Sequence, residues 1–212
     1  HELRTPLTVF KGYLDTIRAN SELFDARLER PVQQMDAQVQ RMESLLTDLL
    51  WLSRIESEQE DRKSESVDMG AILEELREEL LSTFADRLLV LELKSHEAVI
   101  GDYRELRSAV SNLVINAMKY SADDKPVVAI WESDEDSLQL HIKDQGIGIG
   151  EQHLPRLTER FYRVDDSRSS ATGGTGLGLA IVKHVAASHR AELLVDSEPG
   201  LGSTFTLRFP RL

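Results

Sequence analysis

The sequence predicts an α+β chain in two parts: an antiparallel helical hairpin, then helices layered on a mixed sheet. Three observations predict it. Apolar residues in the first fifty positions recur at alternating steps of three and four. A stretch with no apolar periodicity, "SEQEDRKSESVD" at residues 57–68, then breaks the pattern. Beyond it helix-like and strand-like segments mix, and the last two are both strand-like, as in a layer of helices on one sheet.

The hairpin comes first. Leu3, Leu7, Phe10, Leu14 and Ile17 form one seam, and Val32, Met35, Val39, Met42, Leu46 and Leu49 form another. A mean step of about 3.5 residues is the signature of helices that pack on other helices. Residues 20–31, with Asn20 and Ser21 leading to Pro31 at an expected first helical turn, read as the connection. One hairpin buries such a seam poorly, so two are expected to pair into a four-helix bundle, which makes the chain a homodimer. The expected organisation is a hairpin over 1–60, a linker over 61–67 and a second domain over 68–212.

In that second domain "MGAILEELREELLSTF" reads as helix, "LLVLELK" as strand and "ELRSAVSNLVINAMKY" as a long helix. "VVAIWES" and "LQLHIKD" read as a strand pair, "GLGLAIVKHVAASH" as a helix, and "AELLVDS" with "STFTLRF" as two closing strands.

Composition narrows the function. With 37 Asp and Glu against 25 Lys and Arg, the net charge is −12, which argues against a nucleic-acid binder. Residues 56–79 hold ten of those acids, and a solvated linker and helix face account for them. The absence of cysteine excludes disulfides and thiolate metal sites. No apolar run reaches the ~18 residues of a membrane span, and no secretory signal opens the chain.

Four segments carry chemistry. On the long helix Leu106, Val110, Leu113 and Ala117 make a core face, while Asn112, Asn116 and Lys119 share another at i, i+4 and i+7. Carboxamide oxygens beside a lysine suit Mg²⁺ with a phosphate ligand; a plain polar helix face explains the same spacing. "DQGIGIG" (144–150) places Asp144 at a strand end before Gly146, Gly148 and Gly150, which let backbone approach a flat ligand. "GGTGLGLAIV" (173–182) runs glycines into a helix start, an anion site by backbone N–H groups, yet its spacing fits neither the dinucleotide fingerprint nor the P-loop. Between them lie about 25 residues with little periodicity, the mark of a lid or binding loop; Arg160, Arg163 and Arg168 make this segment locally basic. The turn "EPGLGS" (198–203) joins the last two strands.

Taken in order, "HELRTPL", "NLVINAMKYS", "DQGIGI", "RFYRVD" and "GTGLGL" resemble the phosphoacceptor, N, first glycine, F and second glycine boxes of bacterial sensor histidine kinases. "RLTERFYRVDDSRS…TGGTGLGLAIVKH" is most similar to the phosphate-regulon branch of that family. The resemblance implies an α/β-sandwich ATP-binding domain of the histidine kinase, gyrase, Hsp90 and MutL type, with ATP and Mg²⁺ as ligands. It implies His1 as phosphoacceptor, Glu2 as general base, and Thr5 in a phosphatase reaction. Asp144 would accept from the adenine amino group, and Asn116, with Asn112 a second candidate, would hold Mg²⁺. Lys119, Tyr120 and Arg163 would line the phosphate side. Gly146, Gly148, Gly174, Thr175, Gly176, Leu177, Gly178 and Thr204 would complete the nucleotide site. A response-regulator receiver domain is the implied acceptor of the phosphoryl group.

Thr5 stands at i+4 on the helical face of His1, and Pro6 crowds the carbonyl of Glu2, which favours a kink beside the histidine over a proline in a first turn. Because the phosphoacceptor box stands at residue 1, the upstream part of its helix is expected outside this sequence. Membrane contact is expected through that part alone, the chain being the cytoplasmic portion of an inner-membrane-anchored protein. An ATP-driven clamp or an ATP-binding scaffold on the same fold, without phosphotransfer, is the alternative.

Overall fold

The computed structural model describes residues 4–19, 26–57, 63–84, 87–122, 124–164 and 174–211. The described residues fall into two compact units. One is built on the helices up to Arg54, and the other on Ile55–Val164 with Gly176 onward.

In the first unit, α1 spans Arg4–Ala19 and α2 spans Ala26–Ser57, passing into the second unit at its end. Leu7 and Leu14 pack with Val39, and Val32 and Leu46 close around them. These are two sets spaced by seven, one on each helix. Lys11 and Glu43 form an ion pair at 3.1 Å across the hairpin. The other half of the sequence seam stays outside: Phe10, Met35, Met42 and Leu49 are all exposed. Pro31 lies inside α2 rather than in its first turn, because the helix already begins at Ala26. Its missing N–H costs one intrahelical bond, which the rest of a 32-residue helix tolerates. Pro6 stands in the first described turn of α1.

The second unit opens with β1 (Glu65–Val67), where the sequence reading ends a linker. Three residues are too few to show a period, and β1 pairs antiparallel with another short strand, β3 (Val99–Gly101). Helix α3 (Met69–Thr83) follows, capped by Asp68, whose carboxylate accepts from Gly70 N (2.8 Å) and Ala71 N (3.2 Å). Asp102 caps α4 (Tyr103–Tyr120) in the same way, through Arg104 N and Glu105 N. The remaining elements are β2 (Leu89–Leu93), β4 (Val127–Ser133), β5 (Ser137–Lys143), α5 (Gly178–Ser188), β6 (Glu192–Glu198) and β7 (Gly202–Pro210).

Five strands form one sheet in the order β2-β4-β5-β7-β6. Only β2 and β4 run parallel, joined across β3 and α4; the other pairs are antiparallel. Period-two alternation buries Val127, Ala129 and Trp131 on β4, Leu138, Leu140 and Ile142 on β5, and Phe205, Leu207 and Phe209 on β7. The expected core face of α4, Leu106, Val110, Leu113 and Ala117, is buried in full. Trp131 meets the edge of Phe209 and donates its indole N–H to Glu97 O (3.2 Å).

α4 and α5 run the length of this core. Their far ends, α4 at its start and α5 at its finish, share a buried polar cluster. The His189 side chain accepts at Nε2 from Asp102 N (3.1 Å), which leaves Nδ1 to donate to Val185 O (2.8 Å). Ser188 donates to the buried Glu105 at 3.0 Å. Replacing the imidazole removes the acceptor of a buried backbone N–H, so His189→Leu is expected to lower unfolding free energy by about 2–3 kcal/mol in urea titration. Nucleotide affinity should stay at the wild-type value, because the site lies at the other end of both helices.

Candidate functional site

The site assembles where α4 ends, β5 ends and α5 begins. Asp144 follows the last residue of β5 and is 4% exposed. Its backbone N–H donates to Ser203 O and its carboxylate accepts from Gly146 N, both at 2.9 Å. Burial pushes the Asp144 carboxyl above the usual aspartate range, against the pull of the Gly146 and Ser203 backbone groups. A desolvated acceptor with little competition from water suits a ligand donor such as a heteroaromatic amino group.

Glycine makes this packing feasible. A Cβ on Gly146 would sit 1.9 Å from Tyr120 O, and one on Gly202 would sit 2.2 Å from Asp144 O. Without them the Asp144 loop lies against the end of α4, as a bridge between Ser121 and Gly146 records. The turn at 198–203 is more than a connection: Gly200 N donates to Ile147 O (2.8 Å), holding the loop that carries Gly148.

The second glycine box meets the N and F boxes. Gly178 starts α5 against Asn112, whose Oδ1 lies 2.6 Å from where a Cβ would be. Asn112 Nδ2 donates back within α4 to Ser108 O (2.9 Å). Asn116, one turn nearer the Asp144 loop, is half-buried, as is Lys119, while Tyr120 is exposed. Leu177 is fully buried beneath the turn. Gly176, with φ of 74°, accepts from Phe161 N at 2.9 Å, and Phe161 is itself left-handed at φ 64°. Two residues on, Arg163 has its Nε and Nη2 buried with no hydrogen-bond partner among the described residues.

Three expected members fall elsewhere. Thr204 is the cross-strand neighbour of Lys143 and Asp196, on the sheet face opposite the buried one. The inward position is Ser203, buried beside Asp144, because side chains alternate along β7. The Ser203 hydroxyl pairs with that of Ser197 (2.8 Å), which also accepts from Ile149 N (2.8 Å). Two serines flanking "EPGLG" were the available signal, and alternation from Phe205 would have chosen between Ser203 and Thr204. Gly174 and Thr175 group with the helical unit, where the Thr175 hydroxyl donates to Asp48 (2.7 Å). His1, Glu2, Leu3 and Arg168 lie outside the described residues, as does the side chain of Thr5.

Two family models match this chain: the "Histidine kinase-, DNA gyrase B-, and HSP90-like ATPase" over residues 101–212, and the "His Kinase A (phospho-acceptor) domain" over 1–58. The chain belongs to the sensor histidine kinases. Among curated relatives of this histidine kinase chain, the phosphate regulon sensor protein PhoR of Pseudomonas aeruginosa is 50% identical over 99% of the chain and 48% of that protein. PhoR of Haemophilus influenzae is 40% identical over 100% of the chain and 49% of that protein. The chain therefore spans about half the length of these relatives. Of solved structures, the Acinetobacter baumannii histidine kinase AdeS matches with a TM-score of 0.67 at 25% identity, over 99% of this chain and 97% of that one. Full-length ShkA in complex with AMPPNP shares the fold, at a TM-score of 0.77 and 22% identity, over 99% of this chain and 44% of that one.

The histidine kinase ATPase domain implies ATP binding, and the residues present fit it: a buried acceptor in Asp144, glycine-opened backbone, and Arg163 nitrogens with no partner among the described residues. For Mg²⁺ the donor on offer is the neutral carboxamide of Asn116. Among the described residues no cluster of three His, Cys, Asp or Glu could hold a metal by itself, and no helix is long and apolar enough to cross a membrane.

Asp144 gives a signed prediction. A carboxylate whose folded pKa is raised costs stability above its unfolded pKa, and that cost fades as pH falls through the folded value. Asp144→Asn should therefore keep or raise the melting temperature of the nucleotide-free protein at pH 7 and flatten its acid-side pH dependence. It should also abolish the gain of about 2.7 kcal/mol that ATP at a hundred times Kd confers on the wild type, read by thermal shift.

Proposed function

We propose that this chain is the catalytic core of a sensor histidine kinase that phosphorylates its own His1 from Mg-ATP. The phosphoryl group then passes to an aspartate of a response-regulator receiver domain. The observation that carries the reading is Arg163, whose Nε and Nη2 are buried with no hydrogen-bond partner among the described residues, two positions from the Phe161–Gly176 contact. Buried guanidinium N–H groups with no acceptor among the described residues call for an anion, and a nucleotide phosphate is the anion this family takes.

In this reading Asp144 accepts from the adenine amino group, with Ser203 beside it in place of Thr204. Asn116 holds the metal, and Lys119, Tyr120 and Arg163 face the phosphates. Mg²⁺, when bound, neutralises phosphate charge and aligns the oxygens. A neutral imidazole is nucleophilic near physiological pH. As the His1 ring nitrogen bonds to the γ-phosphorus, the bond from that phosphorus to the β,γ-bridging oxygen breaks and ADP departs. Glu2 accepts the proton from the other ring nitrogen. Thr5, one helical turn on, orients water for dephosphorylating the regulator. The names of the relatives support a role in phosphate-starvation signalling. We place the chain on the cytoplasmic side of a membrane-anchored parent, and the net charge of −12 argues against a nucleic-acid partner.

Self-association follows from the hairpin. The outward set Phe10, Met35, Met42 and Leu49 is left exposed by one copy, and a second hairpin covers it in a two-fold pair.

Two measurements check this. Incubation with Mg²⁺ and γ-labelled ATP should give acid-labile, alkali-stable label on the protein, and none on His1→Gln. Label surviving that substitution, or ATP turnover without protein label, would point to another acceptor or to a clamp. In sedimentation, Met42→Glu should shift the chain toward monomer by tenfold or more in Kd, a cost of about 1.4 kcal/mol or above, while Asp144-dependent nucleotide binding persists.

A further inference from the structure

Beside the site lies a surface clamp that the mechanism above does not use. A 3-10 helix, Glu151–Arg156, follows the first glycine loop, and none of its residues is buried. From it two side chains reach Tyr162. His153 Nδ1 hydrogen-bonds the Tyr162 hydroxyl at 2.7 Å, and the Arg156 guanidinium lies 4.2 Å over the phenol ring. Arg156 is itself held by Glu159 at 3.0 and 3.1 Å, and Glu159 O accepts from Tyr162 N at 3.2 Å. Tyr162 is thus pinned at its hydroxyl, its ring face and its backbone.

The residues on either side of Tyr162 are both in costly states. Phe161 is an aromatic residue in the left-handed region, with its ring exposed. Arg163 buries guanidinium nitrogens that nothing satisfies among the described residues. Such states persist when the surroundings over-determine them. Leu157 is the one buried apolar side chain between Arg156 and Tyr162, so core packing there does not by itself call for three pins on one tyrosine. What it does fix is the backbone direction entering Phe161 and leaving toward Arg163.

We infer that His153 and Tyr162 are positioning residues for the phosphate end of the nucleotide site, holding Arg163 aimed before nucleotide arrives. The inference rests on the reading of Arg163 as a phosphate ligand. Its consequence is preorganisation: the clamp meets the ordering cost of the F-box turn in the empty protein, so less is lost on binding. The effect must be selective. Ligands with phosphates feel the clamp, and the adenine end, held by Asp144 at another loop, does not.

The test is a double-mutant cycle on the full chain, with ATP and adenosine titrated separately by NMR. Tyr162→Phe keeps the ring under Arg156 and removes only the hydroxyl. It should weaken ATP about tenfold, the scale of one hydrogen bond to a charged group's support, with adenosine affinity and the melting temperature of the free protein unchanged. In an Arg163→Ala background the same change should have no further effect on ATP. His153→Leu should reproduce Tyr162→Phe, and His153→Gln, which can still meet the hydroxyl, should restore most of the affinity. Equal losses for ATP and adenosine, or losses that add to those of Arg163→Ala, would overturn the positioning role. Arg163→Ala with unchanged ATP affinity would sink the phosphate reading itself, and the clamp's role with it.

Discussion

The site depends on backbone lying against backbone at the ends of three elements. Tyr120 O at the end of α4 and Asp144 O at the end of β5 are each approached to a distance no side chain would permit, by Gly146 and Gly202. Any other residue there would push α4, the Asp144 loop and the β6–β7 turn apart by a methyl group or more. That gap would admit water to Asp144, whose raised pKa and strength as an acceptor both come from exclusion of solvent. Glycine's entropic cost in the unfolded chain is what this close backbone approach requires.

The scaffold around these contacts is a gradient from stiff to adjustable. At the far pole the His189 cluster ties the start of α4 to the end of α5 with buried hydrogen bonds. Between the poles both helices lie on a sheet face of large apolar residues. At the near pole the elements meet through glycine contacts, single hydrogen bonds and the surface clamp on Tyr162. Ligand-facing groups therefore sit at the ends of well-anchored elements rather than within them, which is where a loop can vary without disturbing the core.

How far the sequence could be read follows from how many residues carry each signal. α4 spans five turns and β4, β5 and β7 each alternate over seven residues or more, so periodicity found them and their buried faces. β1 and β3 have three residues each, below any period, and their pairing is non-local. The start of α2 was misplaced because proline marks a first turn only on average, and here the helix runs five residues ahead of Pro31. Asp144 and the glycine boxes were legible as motifs. Their support was not: Ser203, Ser197 and the 198–203 turn act through cross-strand register, and the His153–Tyr162 contact joins a 3-10 turn to a residue nine positions on. Ser203 faces inward and Thr204 outward because cross-strand register decides which of two neighbouring hydroxyls meets the core, and one strand read alone does not fix it.

The division of the hairpin seam into an inward and an outward set has a genetic consequence. A substitution at Val39 alters the packing inside its own hairpin, and each chain bears that cost alone. In the two-fold pair proposed above, the exposed Met42 face is presented from both sides, so one codon change would enter the same interface twice. Two alleles expressed together would then give three populations of pairs rather than two. Outward-set variants would be expected to show dominance over the wild-type copy, and inward-set variants simple loss.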